Sequence, residues 1–290
     1  MLKKILTFYT LLYLTLTCQV NAESQNNNAT TKQPLVLGVL PYASPTAILK
    51  DFSALRDYIS EELGQQVIIK TSANYKTFIK DTAERKYDIV WTAPHFVLLA
   101  LDTEHYQLCS TTIEPIETVI VVNKDSPAKD VKEIAKKTIT TPPELAIVSM
   151  YAKHYLGKHV LGNLKSQMKF IPQKDHNASY MAAVADEEIA AVTTKRIFDT
   201  AISRNVPIRI LKKLPKIPGI GIVIAKDLAN EKKSRIKAIL HVMDNTPKGK
   251  KIIQQHIFSA YREANINEFN KLRPFIKDLS LINPTQVKSQ

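Results

Sequence analysis

Glycine, cysteine and tryptophan are scarce in this sequence. Its 290 residues include 7 glycines, 2 cysteines and 1 tryptophan. No glycine-rich phosphate loop and no GxSxG turn can be read from so few glycines, which argues against nucleotide-binding and serine-hydrolase chemistry. Removal of an N-terminal segment carrying Cys18 would leave Cys109 alone, so we expect no intrachain disulfide.

Catalytic and metal-binding groups are also missing. His154 and His159 lie five residues apart, so they do not share a helix face as an i, i+4 zinc pair would. The paired acidic residues at 61–62 and 187–188 are adjacent in sequence, which is typical of solvated surfaces. We therefore predict that the protein is not an enzyme and that it uses neither a metal nor a cofactor.

Long apolar runs are absent after the N-terminus. A basic start and an apolar run at 5–17 precede small or slim residues at 20–22. This pattern predicts a cleavable secretory signal peptide over 1–22, a flexible polar leader over 23–33 and a periplasmic location. The alternative is a lipoprotein with its lipid on Cys18.

Basic residues outnumber acidic ones, 40 to 27, which gives a formal net charge of +13. The lysines are scattered along the chain, and no nucleic-acid-binding motif accompanies them. We therefore interpret the charge as a soluble basic surface and predict no nucleic-acid partner.

Buried strands alternate with amphipathic helices along the chain. A first βα series covers 35–100, and a second, which opens with a predicted helix at 131–136, covers 131–211. Strand-like passes at 116–122 and 220–225 connect them, and the remainder of the chain after 225 is predicted to be helical. This order predicts an α/β fold with two lobes, each a mostly parallel sheet flanked by helices, and a ligand cleft between them.

The predicted lobe boundaries follow from these passes. The first lobe takes in 34–117 and 219–290, the second lobe takes in 118–218, and hinge strands lie near 118 and 218. A single larger doubly wound sheet is the alternative interpretation.

The stretch YDIVWTAPHFVLLA at 87–100 predicts a short strand, a turn and a helix that starts at Pro94. Ligands of open α/β sheets bind beyond the carboxyl ends of the strands, which is where Trp91 falls. Thr92 is placed to cap the helix, and His95 is expected to be a solvated helix residue. The alternative for Trp91 is that it fills core beside the turn.

Three stretches carry a resemblance to a known family. They are residues 38–100, beginning GVLPYASPTAILK, HNASYMAAVADEEIAAV at 176–192 and IPGIGIVIAKDL at 217–228. They resemble periplasmic solute-binding proteins of the phosphate/phosphite/phosphonate-binding family, which are type II binding proteins. The resemblance implies a monomer that captures a small ligand and presents it to an ABC permease. A sensor kinase is the alternative partner.

The sequence departs from the family pattern at 140–156. The family holds its anion with a Ser/Thr/Gly-rich turn, but residues 145–148 here are Leu-Ala-Ile-Val and Ser149 alone remains. We therefore expect an oxyanion-like or small organic ligand other than a standard phosphonate. The residues predicted to bind it are Tyr42, Trp91, Thr92, Ser149, Tyr151 and His176.

Two other functional classes remain as alternatives. An exported enzyme on the same scaffold would need a titrating pair facing the cleft, and the sequence offers His176 without an evident partner. A lipid- or partner-binding protein would need an exposed apolar groove. In an oxidising compartment the lone thiol of Cys109 is expected to be buried.

Overall fold

The computed structural model describes residues 33–134, 137–159, 168–255 and 259–277. The predicted signal peptide, the possible lipid site at Cys18 and nearly all of the predicted leader lie outside the described residues. No described helix is both long enough and apolar enough to span a bilayer.

The described chain alternates strands and helices from Leu35 onward. The strands are β1 (Leu35–Val39), β2 (Val67–Lys70), β3 (Ile89–Thr92), β4 (Tyr106–Thr112), β5 (Thr118–Asn123), β6 (Thr138–Thr141), β7 (Lys169–Pro172), β8 (Ile189–Thr194), β9 (Ile208–Lys213), β10 (Gly221–Ala225) and β11 (Tyr261–Glu263). The α-helices are α1 (Pro45–Leu63), α2 (Tyr75–Ala83), α3 (Pro94–Asp102), α4 (Ile147–His159), α5 (His176–Ala185), α6 (Lys195–Ser203), α7 (Asn230–Val242), α8 (Pro247–Gln255), α9 (Ile266–Asn270) and α10 (Arg273–Ile276).

The first sheet has six strands in the order β11-β4-β10-β3-β1-β2. β1 pairs in parallel with β2 and β3, whereas β10 and β11 make antiparallel pairs. The sheet is therefore mixed rather than mostly parallel, because the chain re-enters it through β10 in the opposite direction. Trp91 lies in the middle of this sheet, opposite Val39 on one side and Ile222 on the other.

The second sheet has five strands in the order β7-β6-β8-β5-β9. β6 pairs in parallel with β7 and β8, and β5 pairs antiparallel with β8 and β9. This sheet is mixed for the same reason, since β5 enters from the first sheet. We call the first sheet with its packed helices the first lobe, and the second sheet with its helices the second lobe.

Two neighbouring segments connect the sheets, one after β4 and one after β9. Ile116 and Ile217 form an isolated antiparallel bridge between them, and each N–H donates to the other carbonyl at 3.0 Å. The two connections therefore run side by side as a paired strap.

Helix ends follow local sequence signals. Ser44 caps α1 by accepting a hydrogen bond from the Ala47 N–H, and Gly64 ends that helix with a φ of 60°. Asn74 caps α2 and Thr194 caps α6 in the same way. These caps fix where each helix starts relative to the strand before it.

The structure corrects two elements of the sequence prediction. The predicted helix at 131–136 is a series of turns over its described residues. The C-terminal part, predicted as wholly helical, contains the three-residue strand β11. This strand forms because it pairs with the edge strand β4, a distant contact that local sequence does not show.

Candidate functional site

A cavity of about 520 Å³ lies between the two lobes. Leu40, Tyr42 and Trp91 contribute from the carboxyl ends of β1 and β3, and the second lobe contributes the starts of α4, α5 and α6. This is the position at which an α/β sheet presents ligand sites. The volume falls within the range of pockets that enclose small organic molecules.

Aromatic rings form the first-lobe wall. The indole of Trp91 lies 5.8 Å from the Tyr42 ring and 4.9 Å from the Phe52 ring, centroid to centroid, the latter edge to face. The Tyr42 hydroxyl donates a hydrogen bond to Asp51 at 2.8 Å. Burial raises the pKa of Tyr42, and the bond to Asp51 raises it further, so the phenol stays neutral. The wall is therefore an uncharged, rigid surface suited to packing.

The second-lobe wall is built by the start of α4. Leu145, Ala146, Ile147 and Val148 all line the cavity. The N–H groups of Ile147 and Val148 belong to the first helical turn and donate to no other described residue. Two backbone donors thus stand at an otherwise apolar edge of the site.

His95 joins the two walls. It lies in the first turn of α3, it is completely buried, and its Nε2 is 3.0 Å from the carbonyl oxygen of Leu145. Its ring stacks near that of Phe96, with centroids 3.9 Å apart. Burial lowers the pKa of His95 to about 4, against which the bond to Leu145 acts only in part. The prediction that His95 is solvated was wrong, because α3 presents this turn to the second lobe.

His176 is the second buried histidine of the cavity. Asp175 caps α5 and places His176 at its first position, where Nδ1 lies 3.3 Å from the Thr193 hydroxyl. Burial lowers the pKa of His176 to about 4, and the neighbouring Asp175 carboxylate opposes the shift. Both cavity histidines are therefore neutral near neutral pH.

Charged side chains line the cavity as well, mainly where the crossing segments and α6 reach it. Arg196 pairs with Glu114 across the two lobes at 2.9 Å, and Lys195 pairs with Asp199 at 2.6 Å. The cavity-lining charged residues are Glu114, Glu117, Lys195, Arg196, Asp199 and Lys216. Three cations and three carboxylates make up this set, and both cations of α6 carry acidic partners, so the lining has no excess of positive charge for an anionic ligand.

The structure brings three of the six predicted ligand residues to the cavity, namely Tyr42, Trp91 and His176. The other three lie elsewhere. Thr92 is buried as the last residue of β3, and Ala93, which directly precedes the Pro94 start, takes the N-cap position of α3 in its place.

Ser149 and Tyr151 are engaged within the protein. Ser149 is completely buried, and its hydroxyl donates to the carbonyl oxygen of Pro142 at 3.0 Å. Tyr151 packs against Phe275, with ring centroids 5.7 Å apart. The helical turn of α4 points both side chains away from the cavity, whose lining comes from the four residues before Ser149.

Sequence reasoning missed other members of the lining. Tyr75 and Phe96 pack edge to face with centroids 5.8 Å apart, and burial raises the pKa of Tyr75. Ile220 closes the far side from the crossing segment before β10. The available signal was position, since Phe96 falls in the first turn of the helix that starts at the strand mouth.

No described group of three or more His, Cys, Asp or Glu side chains is arranged to hold a metal ion. Cys109 is buried in β4, where burial raises the pKa of its thiol and Ser110 lies 3.4 Å away. The thiol does not line the cavity. The site therefore offers apolar surface, two neutral imidazoles, backbone donors and a charge-balanced set of ionic side chains where the crossing segments and α6 reach it.

Comparison with known families adds to this geometry. Residues 37–269 match the model of a family described as ABC transporter, phosphonate, periplasmic substrate-binding protein. The chain belongs to this family. The protein is thus a periplasmic solute-binding component of an ABC transporter, a class of transport proteins rather than enzymes.

Relatives and solved structures agree with the family. The chain is 22% identical over 267 residues to the phosphonates-binding periplasmic protein of Escherichia coli K12, covering 87% of this chain and 76% of that one. The fold is similar to that of PhnD1 from Prochlorococcus marinus in complex with methylphosphonate, with a TM-score of 0.73, 14% identity and coverage of 85% and 98%. It also resembles a binding protein of an ABC phosphonate transporter from Pseudomonas aeruginosa, with a TM-score of 0.71, 18% identity and coverage of 84% and 85%. These similarities confirm the two-lobed fold predicted from the sequence.

Proposed function

We propose that the protein captures a small organic ligand of low net charge, with an apolar body and a polar end, and presents it to an ABC permease. The observation that supports this most is the lining, which combines aromatic and aliphatic side chains with neutral imidazoles. The lobes would be those predicted, with hinge segments near residues 118 and 218. A standard phosphonate dianion fits this lining poorly.

The charge argument rests on the histidines and the α6 cations. A dianion taken out of water needs compensating positive charge, and burying it without such charge is costly. His95 and His176 are neutral at neutral pH because burial lowers the pKa of each to about 4. Lys195 and Arg196 already pair with Asp199 and Glu114.

The donor argument concerns the start of α4. Its two free N–H groups, on Ile147 and Val148, can hold one polar end of a ligand. The start of α4 adds no hydroxyl side chain that could wrap a tetrahedral anion, since the neighbouring Ser149 hydroxyl is committed to Pro142. The serine and threonine hydroxyls that do line the cavity already make hydrogen bonds within the protein; they belong to Thr112, Thr194, Thr200 and Ser259. Each missing charge-assisted hydrogen bond would be worth about 1.5–3 kcal/mol to such an anion.

Phosphonate itself is the second candidate ligand, because family members and structural neighbours are named for it. Thermal-shift and calorimetric titrations should compare methylphosphonate, inorganic phosphate and a panel of uncharged and zwitterionic compounds with apolar groups. We expect compounds of the last group to raise the melting temperature most. Tighter binding of methylphosphonate or phosphate than of every such compound would overturn the proposal.

Substitutions at Trp91 test whether the ligand binds in this cavity. Trp91→Ala should weaken binding of the best compound at least tenfold, as expected when a central aromatic contact is removed. Trp91→Phe should retain most of the affinity. Phe170→Ala, which removes a half-buried ring from β7 outside the cavity, is the control. Full affinity in Trp91→Ala would show that Trp91 does not contribute to ligand binding.

Partner, processing and oligomeric state have separate tests. The transport role predicts that the loaded protein stimulates ATP hydrolysis by its permease in vesicles, whereas stimulation of a histidine kinase instead would favour a sensing role. Turnover of the captured compound would favour an exported enzyme. Mass spectrometry of the periplasmic protein should find Glu23 at its N-terminus, and light scattering should find a monomer.

A further inference from the structure

The hydrogen bond between His95 and Leu145 spans the cleft. His95 belongs to α3, which packs on the strands β4 and β10 of the first sheet, and Leu145 follows β6 of the second sheet. The bond joins residues 50 positions apart in the chain. Separation of the lobes would break it, because its two partners belong to different lobes.

The partners fix the tautomer of His95. A carbonyl oxygen can only accept, so Nε2 carries the hydrogen and donates it to Leu145. In the neutral ring, Nδ1 then bears a lone pair, and this buried atom has no hydrogen-bond partner among the described residues. A second proton on the ring would lie at Nδ1, where no described residue offers a hydrogen-bond acceptor.

We propose that His95 is a positioning residue that acts as a clasp across the cleft. In its neutral form it holds the Leu145 peptide against the first lobe, and so places the N–H groups of Ile147 and Val148 at the cavity. Protonation releases the clasp and lets the lobes part. The clasp belongs to the ligand-free protein too, and only its effect on affinity rests on the proposed capture site.

The direction of the pH effect follows from burial. With the lobes together, burial lowers the pKa of His95 to about 4, whereas the exposed ring of a parted state would titrate near 6.5. Closure is therefore fully favoured above pH 6.5 and is lost as the pH falls from 6.5 toward 4. The other titratable or charged groups that line the same cavity are Tyr42, Tyr75, Glu114, Glu117, His176, Lys195, Arg196, Asp199 and Lys216.

His176 is the group that could imitate this behaviour. It lines the same cavity, and burial lowers its pKa to the same value of about 4. The test therefore needs His95 variants both in the natural chain and in a His176→Gln background.

Trp91 is a built-in reporter of opening. It is the single tryptophan of the chain, it lines the cavity, and it is 5% exposed. Parting of the lobes would hydrate the indole and shift its emission to longer wavelength. Emission wavelength, rather than intensity, should be followed because a nearby imidazolium also quenches fluorescence.

Three variants separate the roles of His95. In His95→Gln the amide nitrogen can still donate to Leu145 but cannot titrate, and in His95→Leu no donor remains. The natural ligand-free protein should show an emission shift between about pH 7 and pH 5, with retained far-UV circular dichroism. His95→Gln should keep the short-wavelength emission at both values, and His95→Leu should show the long-wavelength emission at both.

Hydrogen exchange and binding complete the experiment. Amide exchange at residues 145–150 should rise with acid in the natural protein and stay low in His95→Gln. Binding of the best compound, or of methylphosphonate as probe, should weaken on the order of tenfold from pH 7 to pH 5 in the natural protein and much less in His95→Gln. His105→Gln, at an exposed histidine outside the cavity, should behave as the natural protein does.

Two results would overturn the clasp. One is a flat emission profile of the natural protein across this pH range. The other is an acid shift that His95→Gln leaves unchanged in the His176→Gln background, which would assign the titration elsewhere. Failure of every compound to bind would count against the proposed ligand class, whereas the ligand-free emission and exchange data would still decide the clasp.

Discussion

Single residues determine how the first-lobe wall of the cavity is held in place. Gly38 of β1 pairs with Val90, the residue before Trp91, and the ring of Tyr87 lies directly over it. Tyr87 is fixed by stacking on Phe78 and by a 2.9 Å hydrogen bond with the Ser72 hydroxyl. Because Gly38 has no side chain, the Tyr87 ring can pack directly on β1, next to the strand β3 that carries Trp91.

Gly38→Ala should destabilise the protein. A Cβ at this position would lie 2.5 Å from the Tyr87 ring, which Phe78 and the Ser72 hydroxyl hold in place. Overpacking of this kind costs about 1–3 kcal/mol. Urea denaturation followed by circular dichroism measures the effect, with Lys50→Ala on the exposed face of α1 as control. An unchanged midpoint would show that the ring moves aside freely.

Whole helices carry functional groups into the cleft, and α5 is the clearest case. Its first residue is His176, and three hydrogen bonds fix its place. Asp175 caps it by accepting from Ala178 at 2.7 Å, Thr140 donates to the Ser179 carbonyl at 2.8 Å, and Ser179 donates to the Val192 carbonyl at 3.0 Å. The imidazole is thus positioned by the helix rather than by its own contacts alone.

Asp175→Ala should lower the free energy of unfolding by about 0.5–2 kcal/mol, the usual cost of removing an N-cap oxygen. Asp175→Asn keeps an oxygen that can accept from Ala178 and should lose much less. Chemical denaturation of the two variants side by side measures the difference. Equal stability of both variants would mean that the cap contributes little to α5.

At the scale of the whole molecule, the two lobes are joined by contacts on several sides of the cavity. His95 bonds to Leu145, Arg196 pairs with Glu114, and Phe275 of α10 packs 5.1 Å from the His154 ring and 5.7 Å from the Tyr151 ring of α4. The exposed ion pair contributes little, because such pairs are typically worth under about 1 kcal/mol. The rings and the clasp are the contacts that oppose opening.

Phe275→Ala should shift the protein toward parted lobes, since each aromatic pair contributes about 0.5–1.5 kcal/mol beyond the area that it buries. The expected result is faster amide exchange over residues 149–155 and a larger radius of gyration in X-ray scattering of the ligand-free protein. Phe275→Leu, which keeps an apolar group, should give exchange rates and a radius of gyration between those of the natural protein and of Phe275→Ala. Exchange rates equal to those of the natural chain would exclude Phe275 from closure.

The fold was predictable because its signals are local. Unbroken apolar strands, the stripe of α1 and the Pro94 start of α3 each identify an element from neighbouring residues alone. The strand β11 and the burial of His95 depend on partners far along the chain, at β4 and Leu145, and no local pattern reports them. Thr92 was misassigned as a cap because the strand β3 extends through Thr92, which leaves Ala93 as the residue directly before the Pro94 start.

The strap formed by Ile116 and Ile217 has a kinetic consequence. Because the reciprocal hydrogen bonds lock two chain crossings into one ribbon, twisting one crossing against the other is suppressed and bending of the ribbon remains. We therefore expect motion of the two lobes to follow a single angular coordinate. Encounter with a solute and its release would accordingly follow single-exponential time courses, with one relaxation rate observed whichever half carries the probe.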